Sequence, residues 1–394
     1  MSQGKSTYLY NVRIVTPDTT VKNGWILLSD GRIAAIGKET GSVEHARTLA
    51  RDCEVIDGQG GYILPGFIDV HVHGGYGHDF MDADAEGLNA ITRFHAQNGT
   101  SIMLATTVTA SKEDIDQVLT RVQSYREAGM PYAQLHGVHL EGPYISAKWP
   151  GAQNPQFIVP PQPAWLEDWT QRFPGLIKMQ TLAPESEGAL EYIEALAQQG
   201  IVAALGHTDA SYDQVMLAAE HGLSHAVHTF NAMTRLHHRE PGTVGAVLTN
   251  PAIMAEVIAD GHHVHPACIR LLAQMKGPDN LLLITDAMSA AGLGNGEYKL
   301  GGLDVIVHGG VARLKEGDSL AGSTLTMIEA FHYAVRETGI SIEHASRMAS
   351  GTPARRLGIE SETGAIEAGK QADVLLLNKE LKLERVWIQG RVIR

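Results

Sequence analysis

Eight short apolar runs recur between residues 67 and 286, and several of the gaps between them carry a helical pattern. The runs cover residues 67–73, 101–107, 135–141, 176–183, 201–207, 225–230, 254–260 and 281–286. Runs of this length, rich in Val, Ile, Leu and Ala, suit strands buried on both faces, which are parallel strands joined by crossover helices. Helical patterns fill 112–128, 187–199, 212–221 and 266–276, followed by Gly129, Gly200, Gly222 and Gly277. Glycine just past a helix end adopts the left-handed cap at least cost. The fold predicted is α/β: a (β/α)8 TIM-like barrel. A doubly wound open sheet is the rival, but no Gly-x-Gly-x-x-Gly turn follows an early strand to support it.

The two ends differ from the middle. Residues 8–15, 25–28 and 32–36, with a turn at Asp30-Gly31, alternate apolar and polar side chains as antiparallel hairpins do. Residues 372–377 and 384–389 repeat the style and are expected to join through Gly390. A small β-sandwich domain is therefore predicted from residues 1–64 plus 362–394, flanking a barrel over 65–361. Two further helices are expected at 323–338 and 342–350, with Pro353 breaking the path back. A hairpin-like stretch at 298–300, 305–307 and 311–314 is expected over the barrel mouth.

Composition excludes some partners. The net charge of −13 disfavours nucleic acid, which needs a basic field, but a few local cations can still hold a small anion. Only Cys53 and Cys268 are present, with no spacing pattern, which argues against a disulfide scaffold and for a reducing cytoplasm. Both are expected to be buried packing residues. Residues 1–7 lack the pattern of a signal peptide, and no stretch is long and apolar enough to span a membrane. His45, His95, His136, His221, His308, His332 and His344 belong to no evident constellation.

The chemistry gathers at the ends of the runs. His71 and His73 are two residues apart, so an extended strand aims both the same way. Glu141, His207, His228 and Asp286 end later runs, and a barrel brings strand ends to one rim. Imidazoles and carboxylates meeting there suit a divalent metal, one or two ions. A carboxylate among imidazoles can bridge two cations, which makes Glu141 the natural central ligand. Asp286 would then sit beside a metal-activated water and exchange its proton; its alternative role is a helix N-cap.

The motifs Ile68-Asp-Val-His-Val-His-Gly-Gly75, His139-Leu-Glu-Gly-Pro143, Gly206-His-Thr-Asp209, His228-Thr-Phe-Asn-Ala-Met233, His237-His-Arg-Glu-Pro-Gly242, Ala259-Asp-Gly-His-His263 and Ile284-Thr-Asp-Ala-Met288 together resemble the sugar-phosphate deacetylases of the amidohydrolase superfamily. The resemblance implies hydrolysis of the acetamido group of N-acetylglucosamine 6-phosphate to the amino sugar phosphate and acetate. The galactosamine epimer and a catalytically silent assembly scaffold are the alternatives. It implies Glu141, His207 and His228 as retained metal ligands, His71 and His73 for a second ion, zinc or iron as the metal, and Asp286 as general base. It implies Ala152, Gln153, Asn231, Ala232, Arg239, His263 and the loop Leu320, Ala321, Gly322 and Ser323 around the substrate, with His263 also able to polarise the amide carbonyl. Some members carry a histidine where this chain has Gln153, which can bond a sugar hydroxyl but cannot act as a cation. In the family the arginine matching Arg239 reaches a neighbouring subunit's site, so a homodimer is implied; the bland reading of Arg239 is a surface ion pair with Glu240.

Overall fold

The computed structural model describes residues 6–39, 41–49, 53–317 and 319–394; segment 1–5, part of the stretch without a signal pattern, lies outside the described residues. Eight strands form one parallel sheet: β1 Phe67–Asp69, β2 Thr100–Thr106, β3 Gln134–Glu141, β4 Ile177–Leu182, β5 Val202–Leu205, β6 His225–Ala226, β7 Met254–Ile258 and β8 Leu281–Ile284. Each pairs with its neighbour in sequence. The ring closes just past β1 and β8, where Val72 bridges Ala287 in parallel. There the Asp286 N–H donates to the His71 carbonyl at 2.9 Å and the His73 N–H to the Ala287 carbonyl at 2.8 Å.

Every expected run holds a strand, but pairing stops short of the polar end in most of them. Glu141 is the last residue of β3; His71, His73, His207, His228 and Asp286 all lie beyond their strands. At His207, His228 and Asp286 the backbone turns left-handed, with φ of 48°, 27° and 51°. Residues with a Cβ avoid that region, so an extended ladder cannot continue through them.

Helices Lys112–Ala128 and Pro266–Lys276 occupy the expected residues, while Ala189–Gln198 and Tyr212–Glu220 are slightly shorter than expected. In the first, Ile115, Val118, Leu119 and Val122 are buried, the spacing that puts one helix face on a sheet. Ser111 caps it by accepting from the Asp114 N–H. Gly129, Gly200, Gly222 and Gly277 all have positive φ. Ala85–Gln97, Pro163–Arg172 and Gly242–Thr249 are further helices that the sequence patterns did not reveal. Gly242–Thr249 is buried throughout except at its last residue, so no amphipathic period marks it.

Past the barrel, the expected 323–338 helix runs only over Met327–Arg336, because Ser323 bridges Ala287 in the barrel seam. The expected break at Pro353 is corrected. Ile342–Ser346 passes through a π turn, Arg347–Gly351, directly into Thr352–Arg356, and Pro353 sits in that first turn, where a missing N–H is tolerated. Three antiparallel strands, Gly296–Leu300, Leu303–His308 and Val311–Leu314, form a small sheet whose Val305 and Val307 pack with Val108, Met288 and Ala321.

The terminal segments build one mixed eight-stranded sheet, in which Tyr62–Pro65 pairs with Val374–Leu377. Its ends fold together, so that Ile33 and Trp387 share one apolar cluster with Leu9, Val374 and Leu376. The alternate residues Leu375, Leu377, Val386 and Ile388 belong to the barrel's core, so the period-two pattern fixes the sheet to the barrel. Gly390 does not join the expected pair. Val374–Leu377 and Leu383–Ile388 are adjacent antiparallel strands, and Gln389-Gly390 instead turns the latter into Arg391–Val392. Cys53 and Cys268 are unpaired and half-buried, each packed at the edge of an apolar cluster.

Candidate active site

Glu141, at the end of β3, is the hub of the site. Its Oε1 lies 3.0 Å from His228 Nε2, 3.2 Å from His207 Nε2 and 3.3 Å from His71 Nε2. Its Oε2 lies 3.4 Å from His73 Nε2. Across the barrel seam, Asp286 Oδ1 lies 3.1 Å from His73 Nε2 and 3.6 Å from His71 Nε2. All six side chains that the strand-end pattern singled out are therefore brought together. Asp286 starts no helix, so the N-cap reading of it is set aside.

The donor set fits a divalent cation. His207 Nε2 and His228 Nε2 face one another at 3.1 Å, close enough to share one N–H or to ligate one ion together. His71 Nε2 is buried without a hydrogen-bond partner. Two triplets, His71 with His73 and Asp286, and His71 with Glu141 and His228, each place one ligand atom per residue within 4.8 Å of the others. Neutral imidazole nitrogen and carboxylate oxygen are the ligands that zinc and its first-row neighbours accept.

Electrostatics point the same way. Burial opposes charge on Glu141, yet His71, His207 and His228 outweigh it and hold the carboxyl well below the usual carboxylate range. Burial likewise opposes charge on His73, but Asp286 and Glu141 outweigh it and push the imidazole up to about 10. The pocket stabilises positive charge at its centre.

A second layer of residues, unforeseen from sequence, orients the first. Glu256 in β7 lies 2.9 Å from His71 Nδ1 through Oε2 and 2.9 Å from His225 Nε2 through Oε1, and Oε2 also accepts from the His228 N–H. Trp149 carbonyl faces His207 Nδ1 at 3.0 Å. Asp69 accepts from the Thr285 hydroxyl at 2.5 Å, and burial raises its carboxyl to about 7. The available signal was a charged residue inside an apolar run, as in Met254-Ala-Glu-Val-Ile258 and Phe67-Ile-Asp69, because buried charge persists only when paired.

The hub opens into a cavity of about 400 Å³ whose lining includes Ala152, Gln153, Asn231, Ala232, His263, Leu320 and Gly322. The Asp260 carboxylate faces His263 Nδ1 at 2.6 Å and fixes its ring. Gln153 departs from expectation: its amide is occupied by Glu141 Oε2 and the Thr109 N–H, each at 2.6 Å. Ala321 faces the apolar cluster under the small antiparallel sheet, and the Ser323 hydroxyl donates to the Thr285 carbonyl, so neither lines the cavity. Arg239 is exposed, 2.8 Å from His238 Nε2, and also stands outside it. Lys148, which the motifs did not single out, is the one Lys or Arg among the described residues lining the cavity, paired at 2.8 Å with Asp209.

A closed (β/α)8 barrel with a strand-end cluster of histidines and carboxylates that could hold a metal ion is the architecture of a hydrolase class, and the chain belongs to the amidohydrolase family, whose model matches residues 62–393. It is 36% identical over 391 residues to the N-acetylglucosamine-6-phosphate deacetylase of Bacillus subtilis (strain 168), covering 98% of this chain and 97% of that one. It is 40% identical to the N-acetylgalactosamine-6-phosphate deacetylase of Escherichia coli O157:H7, covering 96% of this chain and 97% of that one. Among solved structures it is similar to a mutant N-acetyl-D-glucosamine-6-phosphate deacetylase from Mycobacterium smegmatis in complex with N-acetyl-D-glucosamine-6-phosphate. That likeness has a TM-score of 0.91 and 34% identity, covering 99% of this chain and 100% of that one.

Proposed function

We propose that this chain hydrolyses the N-acetyl group of N-acetylglucosamine 6-phosphate, giving glucosamine 6-phosphate and acetate. One observation carries the reading: the Glu141 hub and Asp286 face a single cavity with Asn231, Ala232 and His263, in a chain similar over nearly its full length to deacetylases of 6-phosphorylated amino sugars.

His71, His73, Glu141, His207, His228 and Asp286 would hold one or two divalent ions, zinc or iron. A cation bound there supplies Lewis acidity and lowers the pKa of water toward neutrality. Asp286 takes a proton from the attacking water and returns it to the amide nitrogen as the C–N bond breaks. His263, with its ring held by Asp260, is placed to donate toward the oxygen on which negative charge develops. Asn231, the Ala232 backbone and Lys148, which line the cavity, would meet the sugar and its phosphate. Leu320, Gly322 and Ala152 wall the cavity, and Ala321 and Ser323 support that loop from behind.

Arg239 serves a second copy of the chain in this reading: it is exposed, unpaired with Glu240 in the described contacts, and away from its own cavity. The protein is then a homodimer, acting in the cytoplasm on a small-molecule amino sugar phosphate. Its working units are the barrel over residues 65–361 and the terminal sheet of 1–64 with 362–394. No helix among the described residues is long and apolar enough to cross a membrane.

The galactosamine epimer is the second reading, favoured by the 40% identity to the E. coli relative. Acetate release, measured on both epimers with and without phosphate after chelation and readdition of single divalent ions, separates them. No acetate from either sugar under any ion, from protein carrying bound metal, would leave the assembly-scaffold alternative standing.

A further inference from the structure

We infer that Gln153 is a positioning residue for the Glu141 carboxylate, and through it for the cation. Gln153 is 6% exposed, and its amide bridges two fixed points: Nε2 donates to Glu141 Oε2 at 2.6 Å, and Oε1 accepts from the Thr109 N–H at 2.6 Å. The orientation of the amide follows from chemistry. A backbone N–H can only donate and an ionised carboxylate can only accept, so the oxygen faces Thr109 and the NH2 faces Glu141.

The need for such a brace follows from the hub. The terminal torsion of a glutamate is broad, so a carboxylate shared among several partners has little intrinsic preference for its plane. Glu141 Oε1 is surrounded by His71, His207 and His228, whereas Oε2 has His73 at 3.4 Å and the Gln153 amide. The imidazoles are the groups a cation itself recruits. Gln153 is the donor on this carboxylate that lies outside the ligand set. It therefore assigns Oε1 to the His207 and His228 side and Oε2 to the His73 side. Its anchor is buried and tightly packed: Thr109 is 1% exposed, and a Cβ on Gly142 would meet its Oγ1 at 2.3 Å. Residues that orient metal ligands in this way are typically worth 10–100-fold in metal affinity.

This inference rests on the reading of Glu141 as a metal ligand, and the experiment keeps the two apart. Zinc affinity of wild type and Gln153→Leu is measured by chelator competition, with KM for N-acetylglucosamine 6-phosphate measured at saturating zinc. Affinity in the variant should fall by roughly 10–100-fold, with partial recovery in Gln153→Asn, which keeps a shorter amide. KM at saturating zinc should stay within about twofold, since ground-state sugar binding is untouched. Unchanged affinity overturns the inference, and a raised KM with unchanged affinity makes Gln153 a sugar contact. A wild type that binds no zinc removes the metal reading itself. If the Leu variant does not fold, Gln153→Met, a flexible apolar side chain of similar reach, gives the same comparison.

Discussion

Glu256 Oε2 and His71 Nδ1 lie 2.9 Å apart, both side chains wholly excluded from solvent. Burial opposes the Glu256 charge, but His71 and His225 outweigh it and hold the carboxyl far below its usual range. The same carboxylate ties two histidines and the His228 N–H into one network. Glu256→Ala leaves those buried groups unpaired, so it should lose about 3–5 kcal/mol of stability, seen as a lower urea midpoint. A midpoint unchanged from wild type would show that the network contributes little.

Asp286→Asn keeps the size and polarity of the side chain while removing its proton-accepting role. Turnover should fall by roughly 10²–10⁴-fold with metal content retained. Near-normal turnover in metal-replete protein would take Asp286 out of the proton-transfer role.

Chelation should abolish acetate release and lower the melting temperature. A site that binds only the folded chain adds about 2.7 kcal/mol when free metal is a hundredfold above its dissociation constant. Calorimetry of chelated and reloaded protein checks this, and identical transitions would argue against a cation at the Glu141 hub.

His95 makes a pH prediction independent of the ligands. Its Nε2–H donates to the Gly74 carbonyl at 2.9 Å, and burial lowers the ring to about 4. Between about 6.5 and about 4 the unfolded chain binds the proton that folded His95 refuses, so stability is full above that window and falls through it. The loss from this residue is about 3 kcal/mol in order of magnitude. Asp69 and Asp79, raised by burial to about 7 and about 6, slope the opposite way, so the readout is the difference from His95→Gln. That variant should show a flatter fall from pH 7 to pH 4; parallel curves would count against the assignment.

Lys148→Ala should raise KM for the phosphorylated sugar by roughly tenfold and leave the unphosphorylated sugar unaffected, as expected for losing one charge-assisted contact of about 1.5 kcal/mol. Equal effects on both sugars would place Lys148 elsewhere than at the phosphate.

The barrel was legible because buried parallel strands read as apolar runs, and five of the eight runs carry site residues at or near their ends. His71, His73, Glu141, His207, His228 and Asp286 converge for that reason. Less could be read where the chain is buried without a period, as in Gly242–Thr249, or where neighbouring strands pair in an order that turns do not announce, as at Gly390. Glu256 acts on His71 from 185 residues away, and Gln153 reaches back 12 residues from the loop after β3 to Glu141, a loop contact that no periodic pattern announces. The left-handed turns at His207, His228 and Asp286 have no residue-type signature, since each places an ordinary side chain where glycine would be cheapest.

The seam between the first and last strands has a further meaning. Among the described residues it is held by one backbone bridge, Val72 to Ala287, by the backbone exchanges around His71, His73 and Asp286, and by Asp69, which accepts from Thr285. A cation gripped by His71, His73 and Asp286 would rivet the cylinder shut at the join between its first and last strands. Ion loading and the strength of that join would then be coupled, and amide hydrogen exchange at His73 and Asp286, whose N–H groups cross the seam, should slow when metal is added.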